Sequence, residues 1–207
     1  KIIKAVGVGK LRVAKELGTI RLPMKFHPIF YSFLEDHLFL KIIDSILSNT
    51  SIMHLQNGFI LPRLPLEKTP QIFQNSYHMD FNRVLNKFMM SLNIFIAITD
   101  FTAENGATIV CPNTHQMSYK PDLSYLKSVS TPIEAKRGSV IIFDSTLYHC
   151  SGKNISGGDR VSLNHQFTRS YIKQQIDYVR AIGKNRIKKL PTRTQQLLGY
   201  YTRVPTS

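Results

Sequence analysis

The sequence predicts a mainly β fold with flanking helices, an α+β chain whose antiparallel strands form a sandwich or a barrel. Short apolar, β-branched runs separated by turn residues fill the middle of the chain, whereas helical patterns lie towards its ends. The strands do not alternate with helices, which excludes a parallel sheet built from βαβ units. A chain of 207 residues has the length of one domain, so we expect residues 1–207 to form a single domain.

The N-terminal part, about residues 1–55, is expected to be mainly helical. Residues 35–47 place acidic side chains first and apolar side chains at helical spacing, which predicts a helix. Gly7 and Gly9 lack the spacing of a P-loop or of a dinucleotide-binding fold, and we interpret them as a turn. Three prolines interrupt residues 56–70, so we predict a loop or an edge strand there.

The β core is expected at about residues 56–171. Four β-branched or alternating segments bounded by turn residues predict strands, at 89–100, 107–111, 138–144 and 160–171. A helical pattern over residues 171–182 then opens a C-terminal helical and basic segment of about 172–207.

Composition and charge narrow the classes of function. Lys and Arg number 27 against 13 Asp and Glu, which gives a formal net charge of +14. Seven basic residues lie between Lys173 and Arg193, but without interleaved aromatic residues they favour a solvated helix and loop over a phosphate-binding surface. No apolar run reaches the roughly 20 residues of a membrane helix, so we expect no membrane partner. Cys111 and Cys150 lack C-x-x-C spacing and are expected to be reduced thiols of a cytoplasmic protein.

The segment His78-Met79-Asp80 carries the clearest chemical signal. In an extended chain residues i and i+2 point the same way, so His78 and Asp80 can approach one ion from a single strand. A histidine from a distant strand, His149, completes two imidazoles and one carboxylate, the ligand set of non-haem Fe(II) oxygenases. The H-x-D spacing alone is a weak signal, because it often arises by chance.

The strand predicted at residues 160–171 supports a polar ligand near these three side chains. Its polar face carries Arg160, Ser162, Asn164 and Gln166, and its other face carries Val161, Leu163, His165 and Phe167. A barrel that holds a polar ligand needs a polar inner face and an apolar outer face packed against helices. Arg160 inside such a barrel needs an anion, and it pairs best with a planar carboxylate. We expect His165, on the apolar face, to be a hydrogen-bonded core residue.

Three motifs together resemble the phytanoyl-CoA dioxygenase family of Fe(II)- and 2-oxoglutarate-dependent oxygenases. The motifs are His78-Met79-Asp80, Asn105-Gly106 followed by Pro112 and His115, and His149-x-Ser151 followed by Arg160. The resemblance covers about residues 56–171 and implies a double-stranded β-helix, the jelly roll of cupin-like proteins. Met79 between the ligands, Pro112-Asn113-Thr114-His115 in place of Pro-Gly-Ser-His, and the lack of tryptophan depart from the family pattern.

The resemblance also implies roles for individual residues. His78, Asp80 and His149 would ligate iron. Arg160 would pair with the distal carboxylate of 2-oxoglutarate with help from Ser151, and Phe95 would wall the cosubstrate site. His115 and Cys150 are expected to be structural. The cofactors implied are Fe(II), 2-oxoglutarate as cosubstrate, O2 and ascorbate.

The implied function is the hydroxylation of a small-molecule metabolite, of anionic character given the basic chain, with release of succinate and CO2. The same site residues also suit desaturation, cyclisation or epimerisation, so the oxidative outcome stays open. The basic charge also suggests a nucleic-acid demethylase, a class that tends to carry a second arginine shortly after the first. This alternative is less favoured, because Arg169 lies nine residues after Arg160 and on the opposite face of the strand. A non-enzymatic jelly-roll binding module is the remaining alternative.

Overall fold

A computed structural model of the protein describes residues 2–63 and 73–201. Within these ranges, eight strands form two antiparallel sheets. The strands are β1 (Thr19–Arg21), β2 (Ile52–Leu61), β3 (Ser91–Ala97), β4 (Thr108–Val110), β5 (Thr131–Ile133), β6 (Val140–Asp144), β7 (His149–Ser151) and β8 (Arg160–Thr168). The larger sheet has the order β1-β2-β8-β3-β6 and the smaller sheet β5-β4-β7. The mainly β architecture predicted from the sequence is therefore confirmed.

Helices lie before, between and after these strands. They are α1 (Ile2–Val6), α2 (Val8–Val13), α3 (Ile29–Ser32), α4 (His37–Ile46), α5 (Leu123–Ser128), α6 (Tyr178–Ile182), α7 (Lys184–Ile187) and α8 (Thr192–Leu197). Helix α4 confirms the helix predicted at residues 35–47. It begins after Asp36, whose carboxylate caps the helix by accepting hydrogen bonds from the amides of Leu38 and Phe39. Among the residues described, no helix combines the length and the apolar character needed to cross a membrane.

The main hydrophobic core lies between the larger sheet and the helices. The sheet contributes Leu92, Ile94, Ile96, Leu163 and Phe167, and the helices contribute Ile43, Tyr178, Ile187 and Leu197. Leu163 and Phe167 belong to the strand face predicted to be apolar. Because a buried side chain of this size contributes about 1.5–3 kcal/mol, this packing fixes which face of β8 is left for a site.

His165 confirms its prediction as a hydrogen-bonded core residue. Its ring is 2% exposed, and its Nε2 accepts a hydrogen bond of 2.8 Å from the side-chain amide of Gln56. Burial lowers the pKa of His165 to about 3, so the ring is neutral at physiological pH.

Three predictions about the elements of the fold need correction. The loop or edge strand predicted at residues 56–70 is wrong up to Leu61, because β2 is an interior strand that pairs with both β1 and β8. Residues 64–70 lie outside the described part of the chain. Strands β1 and β2 also place β structure inside the segment expected to be mainly helical, about residues 1–55.

The helix predicted at residues 171–182 is wrong over its first half. The chain is tied to β2 there, because the Gln174 side-chain amide donates to the carbonyl of Met53 and the Gln175 backbone amide donates to the carbonyl of His54. Helix α6 begins only after Asp177, whose carboxylate accepts a hydrogen bond of 2.9 Å from the Arg180 amide. Tertiary hydrogen bonds thus override the helical pattern of the sequence.

Candidate metal centre

His78 and His149 lie side by side across an isolated antiparallel bridge. The His78 amide donates to the His149 carbonyl at 2.9 Å, and the His149 amide donates to the His78 carbonyl at 3.0 Å. The two ring centroids are 4.3 Å apart. Backbone pairing therefore brings together two imidazoles that are distant in the sequence.

Hydrogen bonds to backbone carbonyls orient both rings. Nδ1 of His78 lies 2.8 Å from the carbonyl oxygen of Ser76, and Nδ1 of His149 lies 3.0 Å from that of Leu147. A carbonyl oxygen can only accept, so each Nδ1 carries the hydrogen and the lone pair of a neutral ring resides on Nε2. These Nε2 atoms lie 3.5 and 3.8 Å from Oδ1 of Asp80, respectively.

Asp80 is held through its other oxygen. Its Oδ2 accepts a hydrogen bond of 2.6 Å from the side-chain amide of Asn93 and one of 3.1 Å from that of Asn164. Burial alone would raise the pKa of Asp80, but the neighbouring His149 and His78 and the Asn93 donor outweigh it and hold that pKa below its usual range. Asp80 is therefore a carboxylate that directs Oδ1 towards the two imidazoles.

The three side chains together can hold a divalent cation. One candidate ligand atom from each of His78, Asp80 and His149 lies within 4.8 Å of the others. Burial lowers the pKa of His149 and outweighs the opposing effect of Asp80. The lowered pKa favours the neutral imidazole that metal binding requires. The donor set of two imidazoles and one carboxylate fits Fe(II) with positions left open.

A buried chain of polar side chains supports Asp80 from behind. The Ser145 hydroxyl donates to Oδ1 of Asn93 at 3.0 Å, and the Ser91 hydroxyl lies 2.8 Å from Ser145 Oγ. The side-chain amide of Gln166 donates to Ser91 Oγ at 3.0 Å. Asn93 was not predicted as a site residue, although an amide within a mostly apolar strand is the signal that could have revealed it.

A cavity of about 210 Å³ adjoins the three candidate ligands, and Phe95, Ser151 and Arg160 also line it. Arg160 is 4% exposed, and burial lowers its pKa to about 10, so it stays charged at neutral pH. Its Nε and Nη1 have no hydrogen-bond partner among the residues that the structure describes. A buried guanidinium without an anion beside a cavity is the arrangement that a ligand carboxylate would satisfy.

Ser151 lies on the same cavity but already has a partner. Its hydroxyl donates a hydrogen bond of 2.7 Å to the side-chain oxygen of Asn75. The next residue back, Cys150, is buried and free, and burial raises the pKa of its thiol to about 11. Ser151 would have to turn its hydroxyl from Asn75 to donate to a ligand, whereas Cys150 is an unreactive thiol outside the group of three ligands.

The motif from Asn105 to His115 shapes the chain near the site. Gly106 has a φ of +82°, and Asn113 has a φ of +66°, the left-handed region that the glycine of the family motif readily adopts. The Thr114 hydroxyl accepts a hydrogen bond of 3.0 Å from the Tyr148 amide, just before the strand that carries His149. His115 lies in the 3-10 turn Thr114–Gln116 and is not one of the three candidate ligands.

Comparisons with known proteins connect this geometry to a family. The family model Phytanoyl-CoA dioxygenase (PhyH) matches residues 9–162. The uncharacterized protein Rv1501 of Mycobacterium tuberculosis is 52% identical over 207 residues, which is 100% of this chain and 76% of that protein. The dioxygenase swnH2 of Arthroderma benhamiae is 30% identical over 172 residues, covering 80% of this chain and 51% of that protein.

Solved structures show the same architecture. EctD from S. alaskensis with bound Fe superposes with a TM-score of 0.64 at 18% identity, covering 81% of this chain and 70% of that chain. EctD with 2-oxoglutarate and 5-hydroxyectoine gives a TM-score of 0.63 at 19% identity, covering 81% and 60% of the respective chains. The expected jelly-roll fold is thereby confirmed. With the family model matched over most of its length, the chain belongs to the phytanoyl-CoA dioxygenase family.

Proposed function

We propose that this oxygenase is an Fe(II)- and 2-oxoglutarate-dependent dioxygenase that hydroxylates a small-molecule metabolite and releases succinate and CO2. One observation carries the proposal: two histidine Nε2 atoms and one carboxylate oxygen converge beside a cavity that also holds a buried arginine without an anion. A metal ligand set and a carboxylate receptor on one cavity match the two ends of a 2-oxo diacid.

His78, Asp80 and His149 would hold Fe(II). Fe(II) and 2-oxoglutarate would together supply the electrons that activate O2 for attack on an unactivated C–H bond, and 2-oxoglutarate would be oxidised to succinate and CO2. Ascorbate would serve as the reductant that keeps the iron ferrous. The protein contributes rigid placement, because each histidine ring is fixed by a carbonyl at Nδ1 and Asp80 is fixed by two amides at Oδ2.

Arg160 would bind the distal carboxylate of 2-oxoglutarate. Its buried guanidinium can form two charge-assisted hydrogen bonds to a planar carboxylate. Within the described residues, Nε and Nη1 of Arg160 have no hydrogen-bond partner and are left for such a ligand. Ser151 would assist after releasing Asn75, and the ring of Phe95 would form an apolar wall of the cosubstrate site.

The relatives support a small-molecule substrate. One solved neighbour holds 2-oxoglutarate and 5-hydroxyectoine, and several relatives are named as dioxygenases, including FUM3 of Gibberella moniliformis and andF of Emericella variicolor. The basic composition of the chain is consistent with an anionic substrate. The two cysteines are free thiols, which agrees with the cytoplasmic location expected from the sequence.

Arg169 gives no support to a nucleic-acid demethylase. Its Nη1 donates to the carbonyl of Leu47 at 2.7 Å, its Nε donates to that of Met89 at 3.0 Å, and its guanidinium lies over the Phe88 ring. The residue joins three segments of the fold and does not line the cavity that Arg160 lines.

Metal binding gives the first test. We expect anaerobic titration to show one equivalent of Fe(II), or of Co(II) as a redox-stable substitute, and His149→Ala to weaken binding at least tenfold. His115→Ala removes a histidine outside the three candidate ligands and serves as the matched control. If His149→Ala binds the metal as tightly as the unmodified protein, the ligand assignment is wrong.

Cosubstrate binding gives the second test. With the metal saturating, Arg160→Ala should weaken 2-oxoglutarate binding by roughly 10- to 100-fold, since a hydrogen bond to a charged group contributes about 1.5–3 kcal/mol. Arg160→Lys should recover part of this loss, and Ser151→Ala should lose less than Arg160→Ala. Lys153→Ala, which removes an exposed charge, is the control. If Arg160→Ala binds 2-oxoglutarate as tightly as the unmodified protein, the proposed role of the arginine is wrong. A metabolite screen that measures succinate release then identifies the substrate.

A further inference from the structure

We propose that Phe101 is a positioning residue that holds the Arg160 guanidinium in the orientation that receives the distal carboxylate of the 2-oxo acid. The inference rests on the proposed function and extends it to a residue that contacts neither metal nor cosubstrate. Arg160 Cζ lies over the Phe101 ring, 4.7 Å from its centroid.

The ring face is the contact that restrains this guanidinium. A cation over an aromatic face within about 6 Å is attracted by the ring quadrupole, and the attraction grows when water is excluded. Nε and Nη1 of Arg160 have no hydrogen-bond partner within the described ranges. Without the ring, a long side chain with several rotatable bonds would lose the interaction that fixes its plane before a carboxylate arrives.

Phe101 is itself held rigidly. It is 1% exposed, and its backbone exchanges two hydrogen bonds with Ala135, of 2.7 and 3.0 Å. Its ring packs against Phe95 with centroids 5.7 Å apart, and Phe95 in turn packs against Phe59 at 6.3 Å. The Phe101 ring therefore packs against the apolar wall of the cavity, because Phe59 and Phe95 both line that cavity.

The side chain of Asn105 fixes the backbone on both sides of Phe101. Its side-chain amide donates to the carbonyl of Asp100 at 2.7 Å, and its side-chain oxygen accepts from the Thr102 amide at 2.8 Å. These two bonds bracket Phe101 on both sides. The asparagine of the Asn105-Gly106 motif thus fixes the segment that presents the ring to Arg160.

The contact with the ring leaves N–H groups of the guanidinium for the ligand, because Nε and Nη1 of Arg160 have no hydrogen-bond partner among the described residues. An aromatic ring attracts the charge of the group without accepting its in-plane N–H groups, which a carboxylate can then bind. Ring and carboxylate therefore act together rather than compete. A contribution of about 0.5–2 kcal/mol for such a contact corresponds to a roughly 2- to 30-fold gain in 2-oxoglutarate affinity.

The test compares two 2-oxo acids on the Co(II)-loaded protein, followed by the visible spectrum of the metal. For Phe101→Leu we expect 2-oxoglutarate to bind about 2- to 30-fold more weakly. Pyruvate, which lacks the distal carboxylate, should bind as it does to the unmodified protein, and Co(II) affinity should not change. Phe167→Leu removes an equally buried ring from the opposite face of the sheet, and it should lower the melting temperature without changing 2-oxoglutarate binding.

A double-mutant cycle links the ring to the arginine. In an Arg160→Ala background, Phe101→Leu should cause no further loss of 2-oxoglutarate affinity. An equal loss for pyruvate and 2-oxoglutarate, or a full additional loss in that background, would overturn the inference. If Phe101→Leu does not fold, Phe101→Met, which keeps most of the volume without a ring, takes its place in every comparison.

The outcomes separate this inference from the proposed function. If the unmodified protein binds Co(II) but no 2-oxoglutarate, the proposed function fails and the inference fails with it. If 2-oxoglutarate binds and Arg160→Ala weakens it, while folded Phe101→Leu and Phe101→Met bind it normally, only the role of Phe101 is refuted.

Discussion

Asn93 offers the sharpest test of how the fold prepares the metal centre. Replacing it by leucine keeps the approximate volume and removes the 2.6 Å hydrogen bond to Oδ2 of Asp80. The Ser145 hydroxyl loses its acceptor at the same time. Asp80 retains the longer, 3.1 Å bond from Asn164, so its carboxylate is loosened but keeps one donor.

The magnitude follows from these contacts. A hydrogen bond to a buried charged group contributes about 1.5–3 kcal/mol, and partners that orient metal ligands typically change affinity by roughly 10- to 100-fold. We expect Asn93→Leu to weaken Co(II) binding by about that factor at pH 7.5. Because the Asn93 donor lowers the pKa of Asp80, its removal raises that pKa, and metal should be lost at a higher pH on acidification.

A graded series of variants makes the assay decisive. Equilibrium titration with Co(II) is run on Asn93→Leu, Asn164→Leu and Ser145→Ala, with chemical denaturation of each metal-free protein. The loss of affinity should decrease in the order Asn93, Asn164, Ser145, following bond length and distance from Asp80. Unchanged Co(II) affinity in a folded Asn93→Leu protein, or a larger loss in Ser145→Ala, would refute the reasoning.

Three further predictions concern stability. The pKa of His165 is about 3 in the folded protein, below its ordinary 6.5, so the neutral ring contributes fully to stability above pH 6.5 and this contribution is lost as the pH falls towards 3. In urea denaturation, the free energy of unfolding should fall by about 2 kcal/mol between pH 7 and pH 5, and His165→Gln should not show this fall. Gly106→Ala should destabilise the protein by about 2 kcal/mol or more, because a Cβ would lie 2.6 Å from Leu61 and 2.8 Å from the Gly152 carbonyl; thermal melting should show a smaller loss for Gly138→Ala, which has a similar φ but open space. Arg193→Ala breaks contacts to Asp44 and to the carbonyl of Asn49 and should lose about 1–2 kcal/mol, whereas Lys189→Ala, in the same basic segment but exposed, should melt like the unmodified protein.

The parts of the fold that follow from local geometry could be predicted from the sequence. The alternation of a strand placed Arg160 on one face and Phe167 on the other, and the structure lines a cavity with the first and packs the second in the core. The shared face of His78 and Asp80 followed from their spacing, and the structure brings both to His149. Each inference needed only the two-residue period of an extended chain.

The parts that depend on long-range pairing could not be predicted. Gln56 begins the proline-rich stretch in sequence, yet in space it lies in an interior strand, because β1 takes the edge of the sheet. Gln174 lies in a helical pattern but bonds to the backbone of β2, where the register with β8 shifts between Met53 and Leu55. The side-chain amide of Asn93 donates to Asp80 only in the folded chain, and no sequence pattern within β3 predicts that contact.

The backbone bridge between His78 and His149 would make a bound metal ion a cross-link of the fold. Two segments far apart in sequence meet there through a pair of backbone hydrogen bonds, so an ion held by His78, Asp80 and His149 would close the long intervening loop. The unfolded chain cannot offer these ligands together, and binding energy therefore appears as folding energy. At a metal concentration of 100 times the dissociation constant the gain is about 2.7 kcal/mol. Chelation should thus lower the melting temperature of the unmodified protein by more than that of His149→Ala, and thermal stability becomes a readout of metal occupancy that needs no knowledge of the substrate.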